Sequence, residues 1–153
     1  MAGTIEARLA ELGVTLLDAP APAANYVPAV LSGSTIYVSG QLPVGANGLV
    51  KGTLGAGVSV EDGYEAAKLC AINILAQVKK AAGDLDRIVR VVKISGFVAS
   101  APDFFDQPKV VNGASDFLAE ALGEKGRHAR SAVGVAALPL GAAVEVEAIV
   151  EIA

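Results

Sequence analysis

Two long stretches of helical periodicity, each followed by an apolar β-type run, leave this chain few folds to choose from. The first opens at Ser59, which with Asp62 makes a Ser-x-x-Asp start of capping-box type, and its pattern stops before Gly83. Within it Ala67, Cys70, Ala71, Ile74, Leu75, Val78 and Ala82 recur at helical spacing and form one buried stripe. After a short turn, residues 88–99 are nearly continuously apolar, as a central strand is. A long helix returning to such a strand predicts a β-α-β crossover. Residues 102–107 then read as a loop, and Pro108 suits the first turn of a second helix. Val110, Val111, Ala114, Phe117, Leu118, Ala121 and Leu122 give that helix its apolar face, and Gly123 stops it. This order predicts an α+β architecture, a mixed β-sheet with two long helices packed on one face.

The remaining segments fit around that frame. Residues 4–12 predict a short helix with Ile5, Leu9 and Leu12 on one face and Gly13 at its left-handed end. The Ala/Pro-rich residues 18–24 read as a stiff connector, too short to separate domains. Residues 26–31 and 35–41 predict a hairpin in which Ile36 and Val38 share a face opposite Thr35, Tyr37 and Ser39. Five glycines between Gly45 and Gly57 predict a loop region, with a possible short strand at 49–51. The last strands are expected at 129–136 and 144–152, joined through Leu138-Pro139-Leu140-Gly141. If those two form a hairpin, Glu145 lies opposite about Gly134, roughly 13 Å along the strand from Arg130. One subunit could not pair them directly, and the expected site is completed across a subunit boundary.

Composition narrows function. At 153 residues, one domain (1–153, with 1–18 as an N-terminal helical extension) can bury a core without disulfide or metal. The chain is 53% hydrophobic but only 5% aromatic, and that aliphatic excess is expected at an interface between subunits. No run of about 18 apolar residues predicts a membrane span. A net charge of −4, with 12 basic residues scattered among 16 acidic ones, argues against a nucleic-acid partner. One Cys and no signal-like start predict a cytoplasmic protein. With one His and one Cys, no P-loop and no dinucleotide-binding glycine motif, neither metal nor phosphate cofactor is expected. A Ser-His-acid triad would have to use His128, and no Gly-x-Ser-x-Gly elbow supplies its serine. Cys70, inside an apolar stripe, reads as a small hydrophobe.

The segment Ala129-Arg130-Ser131-Ala132-Val133, continuing through Leu138-Pro139 to Val144-Glu145-Val146-Glu147-Ala148, resembles the C-terminal signature of the Rid family, the reactive intermediate deaminases also called YjgF-like proteins. Tyr26-Val27 followed by Tyr37-Val38-Ser39-Gly40-Gln41-Leu42-Pro43 looks like that family's N-terminal hairpin, and Ala82-Gly83, Val91-Val92-Lys93 and Asn112 keep its order. The resemblance spans about residues 20–153 and implies a chorismate-mutase-like fold in a homotrimer with a barrel-like core and clefts between subunits. It implies cofactor-free hydrolysis of small 2-imino or enamino acids, such as 2-aminoacrylate, to 2-oxo acids and ammonia. Carried over by position, Arg130 grips the substrate carboxylate, Glu145 and Tyr26 are the cleft's acid-base and hydroxyl groups, and Ser39, Gly40, Asn112 and Ala132 line it. Ala132 stands where many members have Cys, Pro28-Ala29 follows the tyrosine in place of a polar residue and glycine, and 100–108 is longer than typical.

That chemistry needs a carboxylate anchor, a water at the imine carbon and a proton for departing ammonia. Arg130 can supply the first, and Glu145, its pKa raised by burial, can exchange the last. Duller roles are an inter-subunit ion pair for Arg130, surface charge for Glu145, Glu147 and Glu151, strand-edge hydrogen bonds for Tyr26 and Ser39, a backbone contact for Asn112, and packing for Tyr37 and Phe117. Two other functions stand beside the deaminase: a non-catalytic small-carboxylate binder of the same fold, and an endoribonuclease, against which the acidic balance speaks.

Overall fold

The longest strand organises the fold. In the computed structural model, which describes residues 3–22 and 24–153, the chain runs α1 (Thr4–Glu11), β1 (Ala29–Ser32), β2 (Thr35–Gln41), β3 (Val44–Gly45), β4 (Gly48–Leu49), β5 (Thr53–Leu54), β6 (Gly57–Val58), α2 (Val60–Ala82), β7 (Ile88–Ala99), α3 (Gln107–Leu122), β8 (Ala129–Val135) and β9 (Val144–Ile152). Met1, Ala2 and, in the Ala/Pro connector, Ala23 lie outside the described residues. Five strands make one mixed sheet in the order β1-β2-β9-β7-β8, with β8 parallel to β7 and the other neighbours antiparallel. The four short strands between Val44 and Val58 form two small ribbons, so the glycine-rich region is a looped excursion, as its composition predicts.

The helices form where the pattern places them. Ser59 caps α2 by accepting from the Asp62 N–H (3.1 Å), and Gly83 closes it at φ 87°. Cys70, Ala71, Ile74, Leu75 and Val78 are fully buried along one side of α2, as are Val110, Val111, Ala114 and Leu118 of α3. The two helices lie side by side against one face of the sheet, and small residues set their approach. A methyl group on Gly113 would run into the Tyr64 carbonyl, and one on Gly96 of β7 would meet Val111 Cγ2 at 2.6 Å. From β9 the core receives Val144, Val146, Ala148, Val150 and Ile152, which alternate with Glu145, Glu147, Ile149 and Glu151 on the other face. Helix α1 adds Ile5 and Leu9 to the same core; its first amides are capped from far along the chain by Asp86, which accepts from Thr4 (2.7 Å) and Ile5 (2.9 Å).

Three expectations are corrected. The last two strands are not a hairpin: β8 and β9 flank β7 on opposite sides, because the connection 136–143 steps over the end of β7 and is tied there by hydrogen bonds from Gly52 N to Gly141 O, Ala143 N to Val50 O and Ala99 N to Ala143 O. The first strand starts at Ala29 rather than Tyr26, since Pro28 offers no N–H and its carbonyl already accepts from Ser39 N. Tyr37 does not pack in the core; it stands half exposed on the open face opposite the helices.

Candidate functional site

The sheet sorts the candidate residues by strand parity. Arg130 is registered with Ile94, a buried core-facing residue of β7, so its side chain leaves β8 on the helix side. There Nη1 donates to Ser115 Oγ (3.1 Å) and Nη2 to the Pro108 carbonyl (3.2 Å), both on α3. No carboxylate pairs with Arg130 among the described residues; the ion pairs found are Arg8–Glu11, Lys79–Glu6, Lys109–Asp106 and Arg127–Glu124. The guanidinium is oriented by two neutral acceptors and keeps its charge uncompensated. It borders an open hollow of about 380 Å³ that Asn112, Ser115, Asp116, Arg127 and His128 also line. Ala132, two residues further along the same side of β8, is half-buried against the core and is not part of the hollow's lining.

Glu145 faces the other way. It is registered with Phe97 on the open face of the sheet, where its carboxylate lies against Gly40. Between Val38 and Gln41 the pairing of β2 with β9 slips by a bulge, which leaves Ser39 and Gly40 together on that face. A side chain at Gly40 would occupy the space of the Glu145 carboxylate, so glycine is what lets the acid lie flat against β2. Burial and then the neighbouring Glu147 push the Glu145 pKa up, which makes it a group able to hold a proton. Tyr26 is half exposed and lines a smaller hollow of about 150 Å³ with Gly40, Gln41, Leu42 and Pro28. Leu140, in the left-handed region at φ 60°, closes its rim. Ser39 Oγ donates to the Val27 carbonyl (3.0 Å) and so fastens the segment that carries Tyr26.

The chain therefore brings together Tyr26, Ser39, Gly40 and Glu145 in one group and Arg130, Asn112 and Ala132 in another. The two groups lie on opposite faces, and β2 and β8 are three strand spacings apart, about 14 Å. Sequence reasoning passed over Ser115, which lies beside Arg130, and treated His128 only as an unlikely triad member. The signal was in the spacing: His128, just before β8, stands two residues from Arg130, and Ser115 follows Asn112 by three on a helix.

With this fold and site in view, the comparisons with known proteins are decisive. A family model described as "YjgF/chorismate_mutase-like, putative endoribonuclease" matches residues 6–152. The chain belongs to the YjgF family. Within the family it is similar to Protein TCP17 of Trypanosoma cruzi, at 52% identity over 98% of this chain and 95% of that one. It is also similar to the crystal structure of the protein Atu1372 from Agrobacterium tumefaciens, with a TM-score of 0.88 and 56% identity over 97% of this chain and 94% of that one. A 2-iminobutanoate/2-iminopropanoate deaminase of Dermatophagoides farinae shares 32% identity over 88% of this chain and 91% of its own length. No helix among the described residues is long and apolar enough to cross a membrane, and no cluster of His, Cys, Asp and Glu there could hold a metal.

Proposed function

We propose that this YjgF-family member hydrolyses small 2-imino acids to 2-oxo acids and ammonia, in clefts formed where one protomer's Arg130 group meets the Glu145 group of another in a homotrimer. The observation that carries the reading is Arg130 itself: a guanidinium held in place by neutral oxygens, without a counterion among the described residues, beside a hollow wide enough for a small organic acid. A bidentate carboxylate is the ligand such a fork accepts best. The relative named as an iminobutanoate deaminase supports the choice of substrate class.

The chemistry divides between the two groups. Arg130 fixes the carboxylate, with Asn112 shaping the wall beside it. Water adds to the imine carbon and gives one proton to the acid-base group while the nitrogen takes one up; the amino group of the resulting amino alcohol then takes a second proton from the acid-base group, its C–N bond breaks, ammonia leaves, and the hydroxyl's proton returns to the acid-base group. Glu145, with its raised pKa, exchanges those protons, and the Tyr26 hydroxyl and Gly40 line the space for the reacting carbon. No cofactor takes part in this scheme. The partners are a small 2-imino or 2-oxo acid and further copies of the chain, in the cytoplasm.

The test couples the purified protein to a dehydratase that releases 2-aminoacrylate and follows trapped imine against pyruvate. Wild type should shorten the imine lifetime, and Arg130→Ala should lower kcat/KM by about 10²-fold, the loss of a charge-assisted pair of hydrogen bonds. Equal, unchanged imine lifetimes with both proteins refute the deaminase. Carboxylate binding without turnover would then favour a non-catalytic binder. Cleavage of RNA by a nuclease-free preparation, abolished in Arg130→Ala, would favour the endoribonuclease of the family description, which the excess of 16 acidic over 12 basic residues disfavours.

A further inference from the structure

The hydroxyl of Ser115 stands between two functional groups that fix the direction of every proton around it. Its Oγ lies 3.1 Å from Arg130 Nη1 and 2.9 Å from His128 Nε2. An arginine can only donate, so Ser115 accepts from Arg130 and keeps its own hydrogen to give. In the neutral ring, Nε2 presents the lone pair that takes it. On the far side of the ring, Nδ1 meets the Gly126 carbonyl, which can only accept, so the imidazole's single hydrogen sits there. A neutral ring satisfies both neighbours only as the Nδ1–H tautomer, and the chain then runs one way: Arg130 to Ser115 to His128 to the Gly126 oxygen.

The surroundings hold that state. Burial first, and after it the Arg130 guanidinium, push the His128 pKa down against the Gly126 carbonyl, which pulls it up, and the acid lining the hollow, Asp116, is taken up by the Tyr64 hydroxyl (2.7 Å). Gly126 is buried where any side chain would strike the Leu118 carbonyl, so the turn after α3 packs close enough to present its oxygen. His128 has both nitrogens occupied, which leaves it no free atom for a substrate.

We propose that Ser115 and His128 are positioning residues for Arg130: a relay anchored on the Gly126 carbonyl that locks Ser115 as an acceptor and thereby aims the guanidinium. The proposal rests on the reading of Arg130 as the carboxylate anchor, and its test separates the two.

The chain contains one His, so its imidazole nitrogens are assigned in a ¹⁵N spectrum without ambiguity. In ligand-free protein at pH 7.5 the relay requires the Nδ1–H tautomer, a shift of Nε2 on Ser115→Ala, and slowly exchanging Arg130 guanidinium protons that become fast in Ser115→Ala and in His128→Phe. In the second arm, 2-oxobutanoate affinity measured by calorimetry should fall about tenfold in Ser115→Ala and His128→Phe, with unchanged melting, and recover in Ser115→Thr, which restores the hydroxyl. An Nε2–H tautomer, or guanidinium exchange indifferent to both substitutions, overturns the relay. Equal affinities of wild type, Ser115→Ala and His128→Phe where Arg130→Ala has lost binding overturn it too. Lack of 2-oxobutanoate binding by wild type with the ligand-free signatures present would fail the carboxylate reading and leave the relay supported.

Discussion

Substituting Gly40 with alanine should separate the proposed catalysis from folding. The backbone at Gly40 is not in the left-handed region, so alanine meets no conformational penalty there. Its methyl group, however, would lie 2.7 Å from Glu145 Cδ and 2.9 Å from Cγ, where ordinary carbon contacts need about 3.5–4.0 Å. The carboxylate must give way by about 1 Å, and because it is the far end of a flexible side chain it can. Gly→Ala at a compatible site stabilises by about 0.4–1 kcal/mol through the unfolded state. A displaced rotamer costs about 0.5–1.5 kcal/mol, so the net change in stability is within about 1 kcal/mol. Melting should move by no more than about 4 °C for a chain of this size. A catalytic group displaced by that distance costs about 10²-fold in rate. The assay is imine hydrolysis in the coupled system beside a thermal melt of the same sample. Gly40→Ala with native kcat/KM and a native melting curve would refute the assignment of proton exchange to a Glu145 carboxylate held against β2.

Other consequences are independent of the chemistry. Two amide donors lower the pKa of Asp86, so its hold on α1 is fully present above the usual aspartate range and is lost as pH falls through the depressed folded value. Hydrogen exchange at Thr4 and Ile5 should accelerate in Asp86→Ala at neutral pH, and in wild type only on strong acidification; equal protection in both proteins at pH 7 contradicts the cap. Cys70 is buried and its thiol pKa is pushed up by burial first and by Glu145 second, so a thiol reagent should label it only on global unfolding. Labelling at a rate unaffected by stabilising ligands or denaturant would show that α2 opens locally.

The two helices, the central strand and the apolar stripes were legible because each is written in local periodicity, and burial of Ile74, Leu118 and Ile94 follows from it. Arg130 and Glu145 could be picked from a family signature, yet their relation could not. The hairpin expected for the last strands rested on their closeness in sequence, whereas the strand between them in space, β7, was set by hydrogen bonds of the 136–143 connection to Val50, Gly52 and Ala99. Tyr37 looked like packing because an aromatic on a strand usually finds a core; its strand has a second face that the chain leaves open. The spacing of Ser115 from Asn112 puts both on one side of α3, and only the packing of α3 beside β8 brings that hydroxyl to Arg130.

Which residues each element buries is written in the local pattern, because periods of 3.6 and 2 decide it within a few turns of chain. Which charged groups share a face depends on how the strands meet in space. Arg130 and Glu145 fall on opposite sides of the sheet because β8 registers Arg130 with Ile94 and β9 registers Glu145 with Phe97, and that registration depends on contacts between segments too distant along the chain for any local pattern to encode.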